Sequence, residues 1–100
     1  MNNANTFSGR LVERRLRRGI STLRHLREEM RIVDEQLAMM VDEAAEKELR
    51  SLVAETPFAA FEHRDAQGHV DALIRHRERI FSDISDLERR QDSLLDILDH

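Results

Sequence analysis

The five histidines are the residues of this 100-residue sequence whose type most directly suggests metal chemistry: His25, His63, His69, His76 and His100. His69 and His76 would lie two turns apart on a helix, with Asp65 one turn before His69. Helical di-metal sites place Glu three residues before His, and no histidine here has an acidic residue at that distance. The His-Glu-x-x-His zinc motif is absent as well. We therefore predict no metal site and solvated surface histidines.

Residues for nucleophilic or phosphate chemistry are scarce too. The chain has no cysteine, and its three glycines are isolated, so no phosphate-binding loop is present. No local Ser and His arrangement indicates a nucleophile. Six acids gather around residues 43–65, where they would form a partner-binding tip, a Mg²⁺ site or a solvated turn: Glu43, Glu46, Glu48, Glu55, Glu62 and Asp65. We predict no catalytic residue and no cofactor.

One enzyme resemblance involves the segment Leu26-Arg27-Glu28-Glu29-Met30 and its continuation Val33-Asp34-Glu35-Gln36-Leu37. The segment resembles the first helix of all-helical chorismate mutases, which implies that Arg27 would bind a substrate carboxylate. The family's next catalytic arginine would fall at Ala44 and its catalytic lysine near Glu55. Both departures remove positive charge from a site that must hold a dicarboxylate. We therefore reject this resemblance and predict that the chain is not an enzyme.

The composition predicts an all-α fold, because Gly, Pro and β-branched residues are few while Glu, Arg, Leu and Ala are common. Residues 1–8 are unpatterned and predict a disordered tail before a single domain at 9–100. An apolar stripe with steps of three or four predicts a first helix over about 10–54: Val12, Leu16, Ile20, Leu23, Leu26, Met30, Val33, Leu37, Met40 and Ala44. Gly19 permits a bend, and a break near Asp42–Lys47 would give three helices instead of two.

The segment Glu55-Thr56-Pro57 predicts a turn at residues 54–57, since the residue before proline leaves the α region and Thr can cap a helix that starts at Pro. A second helix at about 57–99 carries seven-residue repeats, with the series Ala66, Leu73, Ile80, Leu87 and Leu94 and the series Val70, Arg77, Ile84, Gln91 and Leu98. This spacing is typical of a coiled coil. Two helices of similar length and a short turn predict an antiparallel two-helix coiled-coil hairpin.

The charge is unevenly distributed: residues 10–31, the basic segment, have a balance of +5 in a chain of net charge −4. One hypothesis is a surface for nucleic acid or an anionic membrane, formed by Arg14, Arg15, Arg17, Arg18 and Arg24. The other hypothesis is intramolecular, with these arginines facing the acidic end of the second helix.

A lone hairpin leaves apolar residues without cover, namely Phe58, Phe61, Ile74, Phe81 and Leu95. We therefore expect a homodimer that forms a four-helix bundle, or docking on another helical protein. The leading functional hypothesis is a non-enzymatic interaction or scaffold module that acts through the hairpin face or its acidic tip. The lack of cysteine, of a signal-peptide core and of a membrane-length apolar run favours the cytoplasm.

A wider resemblance involves the segments Asp34-Glu35-Gln36-Leu37, Glu48-Leu49-Arg50-Ser51-Leu52-Val53-Ala54-Glu55-Thr56-Pro57-Phe58-Ala59 and Gln91-Asp92-Ser93-Leu94-Leu95-Asp96. These segments resemble an uncharacterised family of small helical proteins of actinobacteria, with Glu-Thr-Pro as the most specific element. The resemblance implies a helical-hairpin outline and no assigned activity.

Overall fold

The chain folds into two α-helices in the computed structural model, which describes residues 3–99, with side chains from residue 8. Helix α1 spans Asn3–Ala54 and helix α2 spans Pro57–Asp99. No strand occurs among residues 3–99. The predicted all-α class is confirmed, and two helices joined by a short turn fit a helical hairpin.

Helix α1 is continuous through both places where the sequence suggested an interruption, Gly19 and Asp42–Lys47. The three-helix alternative is therefore wrong. The helix also begins at Asn3 instead of about residue 10. No proline interrupts this stretch, and one glycine costs a helix only about 1 kcal/mol. Residues 1 and 2, where the predicted tail starts, lie outside the described residues.

The turn consists of Glu55 and Thr56. Glu55 has a φ of 53°, in the left-handed region, and its N–H donates to the Ser51 carbonyl at 3.1 Å. The Thr56 hydroxyl oxygen accepts the Ala59 N–H at 3.1 Å, and Pro57 occupies the first helical position of α2. Thr56 thus caps α2, as the sequence predicts, because its side chain satisfies one of the N–H groups that the first turn leaves unbonded.

Packing divides the chain into two compact units, and each contains part of both helices. Unit 1 comprises Met1–Glu29 and Ile80–His100, of which residues 3–29 and 80–99 are described, and unit 2 comprises Met30–Arg79. Within unit 1, the side chains of Val12, Leu23 and Ile80 are buried. Within unit 2, Val33, Ala44 and Val70 are buried. In both units the buried and half-buried residues recur at steps of three and four, which is the spacing of a helix–helix seam.

One step of the predicted stripe is wrong. The spacing of apolar residues predicts Ile20 in the seam of α1, but Gly19 is buried there and Ile20 is 53% exposed. The seam of unit 1 therefore runs through Leu16, Gly19 and Leu23. Both paths satisfy helical periodicity. The Gln91 side chain approaches position 19 so closely that only glycine, which lacks a Cβ atom, fits there. In α2, Gln91 is buried as expected for the seam, whereas Leu98 is exposed.

Candidate interaction surfaces

The basic segment lies mostly in unit 1, and its candidate anion-binding arginines are all exposed: Arg14, Arg15, Arg17, Arg18 and Arg24. Arg17 contacts Glu13 one turn earlier, with Nη2 3.7 Å from Oε2. Both side chains are more than half exposed, so solvent screens this pair and it adds little stability. The segment therefore presents guanidinium groups to solvent along the first part of α1.

One arginine of this segment reaches the acidic end of α2. Arg27 Nη2 lies 3.8 Å from Glu88 Oε2, so a contact between the helices is made where the intramolecular hypothesis expects one. Unit 1 contains nine arginines and nine acidic residues, and unit 2 carries the whole net charge of −4. The part of the basic segment that lies in unit 1, residues 10–29, has a balance of +4, and residues 80–99 of α2 have a balance of −4, so the two charges compensate within unit 1. Arg27 is also the residue that the chorismate mutase resemblance would assign to a substrate carboxylate.

An open groove of about 720 Å³ lies along the two helices of unit 1. Its apolar lining comes from Leu26, Leu87 and Leu94, and Gly19 and Gln91 lie beside them. Its charged lining is mixed, with three arginines and two aspartates: Arg15, Arg18, Arg90, Asp83 and Asp86. The acids offset the arginines, so this groove lacks the uniform positive charge that a dianionic ligand requires.

Three exposed apolar residues of unit 1, which we call the flank, share one relation to the seam. Ile20, Phe81 and Leu95 each follow a seam residue directly, namely Gly19, Ile80 and Leu94. Arg27 and Glu88 occupy the equivalent positions after Leu26 and Leu87, and they contact each other. The positions that follow Gly19 and Leu26 in α1, and those that follow Ile80, Leu87 and Leu94 in α2, repeat every seven residues and therefore face the same side of unit 1. The flank puts a phenylalanine, an isoleucine and a leucine on that side.

Unit 2 has its own exposed apolar residues directly after seam residues, since Val41 follows Met40 and Ile74 follows Leu73.

All five residues that were predicted to need a partner are exposed, with Phe58 the most accessible at 69% and Ile74 the least at 38%. The part of this chain that the structure describes therefore covers each of them only partly.

The most exposed apolar cluster of unit 2 lies on both sides of the turn. A groove of about 510 Å³, which we call the turn groove, is lined by Leu49, Arg50, Val53, Ala54, Thr56, Phe58, Ala59 and Glu62. Leu52 and Phe61 are also exposed on the same helical segments. The sequence analysis described this end of the chain as acidic and singled out only the phenylalanines, so it missed Leu49, Leu52 and Val53.

Next to this groove the usual pattern of α1 is inverted, because small or polar residues occupy the seam and larger apolar residues lie outside it. The seam positions before the turn are occupied by Ala44, Lys47 and Ser51, which are buried or half-buried. The larger apolar residues Leu49, Leu52 and Val53 point outward instead, with Val53 77% exposed. The signal was present in the sequence, because extending the three-and-four spacing beyond Met40 passes through Ala44, Lys47 and Ser51 and avoids the leucines.

The described residues contain no group of three or more His, Asp or Glu side chains arranged to hold a metal ion. His69 Nε2 lies 3.5 Å from Asp65 Oδ2, an exposed pair within one helix. Among residues 3–99 there is also no helix that combines the length and apolar character of a membrane span.

No protein-family model, no curated protein and no solved structure matches this chain. The resemblance to the uncharacterised actinobacterial helical family stays a prediction.

Proposed function

We propose that this protein is a non-enzymatic interaction module, an antiparallel helical hairpin that associates with a second copy to form a four-helix bundle. The observation that carries the proposal is the flank. Ile20, Phe81 and Leu95 lie on one side of unit 1, and each is about half exposed or more. Exposed apolar side chains that share one side of a domain mark protein interaction sites, and here the Arg27–Glu88 ion pair lies in the same series of positions, between Phe81 and Leu95.

The contacts between the helices support the antiparallel arrangement. In unit 1, Leu16 of α1 contacts Gln91 of α2, and the later residue Arg27 contacts the earlier residue Glu88. In unit 2, Asp34 pairs with Arg77. Within unit 1, residue numbers rise along α1 as they fall along α2, which is the order that two antiparallel helices produce.

The surface area supports self-association. The chain exposes 7860 Å². A folded monomer of 11.7 kDa usually exposes about 5,900 Å². The difference of about 2,000 Å² exceeds the roughly 800 Å² that each partner buries in a standard interface. A standard dimer interface would therefore cover less than half of the excess area of each chain.

The arrangement of charges supports a non-enzymatic role. Arg27 lies against Glu88, so it has a carboxylate partner within the chain. Position 44 is a buried alanine and position 55 is a glutamate in the turn. Neither position supplies the cation that the mutase chemistry would need.

Sedimentation of the chain at micromolar concentration, with and without substitution of the flank, tests the proposal. We expect twice the 11.7 kDa mass for the unmodified chain and a monomer for Phe81→Glu, because a buried charge opposes the interface. Ile97→Glu is the matched control, since Ile97 is also exposed in unit 1 but does not follow a seam residue. A monomer at every concentration, or equal effects of both variants, would contradict self-association through the flank.

A second candidate function is binding of nucleic acid or anionic membrane through the basic segment, favoured by the exposure of Arg14, Arg15, Arg17 and Arg18. This function predicts binding that weakens steeply with salt. Replacing the four arginines with Ala should abolish binding to duplex DNA or anionic vesicles at low salt. If the replacement lowers the melting temperature and alters no binding, the arginines act within the fold.

A further inference from the structure

We infer that the turn groove is a docking site for a basic amphipathic helix of another protein, separate from the flank. The inference adds a second binding surface to the proposed interaction module. It rests on the proposed function only in treating the protein as such a module. The first support is the inverted pattern of α1. Leu49 and Val53 face outward from a helix whose seam positions hold Lys47 and Ser51, so the larger apolar side chains lie where a partner would cover them.

The form of the groove indicates a helical partner. One wall comes from the last turns of α1, with Leu49 and Val53 four residues apart. The other wall comes from the first turns of α2, with Phe58 and Glu62 four residues apart. Side chains four apart on a helix form a ridge. Two ridges that border an apolar groove of about 510 Å³ match the binding of an amphipathic helix through anchors at three- and four-residue spacing.

The charge around the groove indicates a basic partner. Unit 2 carries the net charge of −4. Glu62 lines the groove, Glu55 lies in the turn between the lining residues Ala54 and Thr56, and Glu46 precedes Val53 by two turns on the same face of α1. Arg50 is a cation in the lining. A partner with Lys or Arg beside its apolar stripe would complement this surface and be steered toward it.

The same charges argue against two other occupants. A second copy that docked its own turn groove here would bring the glutamates of both copies together, which is unfavourable. An anionic membrane would be repelled in the same way. The basic segment of a second copy is not available as the helix, because its apolar stripe, including Val12 and Leu23, is already buried in unit 1.

A pair of synthetic helical peptides tests the inference. Both carry leucines at the same three- and four-residue spacing, and their remaining positions are Lys in one peptide and Glu in the other. Titration into the isotopically labelled full chain, followed by amide chemical shifts, locates the binding site. We expect the Lys peptide to shift the amides of residues 49–62, with an affinity that falls as salt is added. The Glu peptide should bind at least about tenfold more weakly.

Substitutions make the test specific. Val53→Gln and Phe58→Gln lie at exposed positions and add no charge, so we expect the fold to persist and the affinity for the Lys peptide to fall at least about tenfold. Ile97→Gln should leave that affinity unchanged. The inference is overturned if neither peptide binds, if the shifts cluster in unit 1, or if the two peptides bind equally. Sedimentation of Val53→Gln reports self-association independently, so loss of docking is distinguishable from loss of the dimer.

Discussion

The side-chain amide of Gln91 occupies the space that Gly19 leaves open in the seam of unit 1. Gln91 Nε2 donates a hydrogen bond to the Leu16 carbonyl oxygen at 2.9 Å, and the residue is only 8% exposed. A Cβ atom at position 19 would collide with the amide group of Gln91. A buried polar residue with one matching small position on the other helix favours a single register, because sliding α2 would leave the amide without its partner.

Double substitution of this pair tests the coupling. Gly19→Ala alone should stabilise the fold little or destabilise it, since displacing the Gln91 amide offsets the roughly 1 kcal/mol gained in helix propensity. In a Gln91→Ala background the same change should stabilise by about 1 kcal/mol. Denaturant unfolding followed by circular dichroism at one chain concentration measures both. Equal effects of Gly19→Ala in the two backgrounds would show that the residues are not coupled.

Arg77 is a charged residue at a seam position of unit 2. Its Nε donates to Asp34 Oδ1 at 2.6 Å, and this hydrogen bond, together with the charge of Asp34, raises the pKa of Arg77 above its ordinary value. Both side chains are over 40% exposed, so the pair adds little stability. We expect Arg77→Leu to stabilise the chain, because leucine adds apolar burial at a seam position.

Thermal unfolding monitored by circular dichroism measures this gain. Asp34→Asn is the control, which removes the charge of the partner and should change stability by less than about 1 kcal/mol. A loss of stability in Arg77→Leu would instead identify the ion pair as a main contact of unit 2. A raised pKa means that the contribution of Arg77 is lost only as the pH rises through the folded value. The difference between Arg77→Leu and the parent should therefore not change through titration of Arg77 from about pH 6 to 9.

Glu55 adopts a conformation that glycine tolerates better. Its φ of 53° brings Cβ close to the backbone at the end of α1. We expect Glu55→Gly to stabilise the chain by about 1 kcal/mol, because glycine lacks that strain. Glu55→Ala should give no comparable gain, since alanine retains Cβ. Denaturation midpoints of the two variants decide the matter, and equal midpoints would refute the strain at this position.

Thr56 stabilises the start of α2 through its hydroxyl group. Because the hydroxyl oxygen accepts the Ala59 N–H, Thr56→Ala should cost about 1 kcal/mol. Thr56→Ser retains an acceptor at the same place and should unfold within a few tenths of a kcal/mol of the parent. If Ser and Ala unfold at the same midpoint, the hydrogen bond makes no contribution. Urea titration of the three proteins provides the comparison.

The sequence alone determined the features that depend on local chemistry. Pro57 excludes the preceding residue from a helix, and Thr56 supplies an oxygen for the next one, so the turn follows from three adjacent residues. Helix propensity and spacing likewise predict two helices and the polar seam position of Gln91. The sequence left open whether α1 is continuous through Gly19. One glycine costs a helix only about 1 kcal/mol, so the packing around it decides between a bend and a continuous helix.

Only the tertiary structure decided between alternatives that are equal in periodicity. Steps of three and four allow either Gly19 or Ile20 in the seam, and the Gln91 side chain, which is remote in sequence, selects the residue without a Cβ. Leu49 and Val53 differ in this respect, because the spacing of α1 already places them outside the seam although their apolar character suggests burial. Hydrophobicity predicts which residues favour burial, but the face that is covered depends on which surface lies opposite, and that is a property of the folded chain.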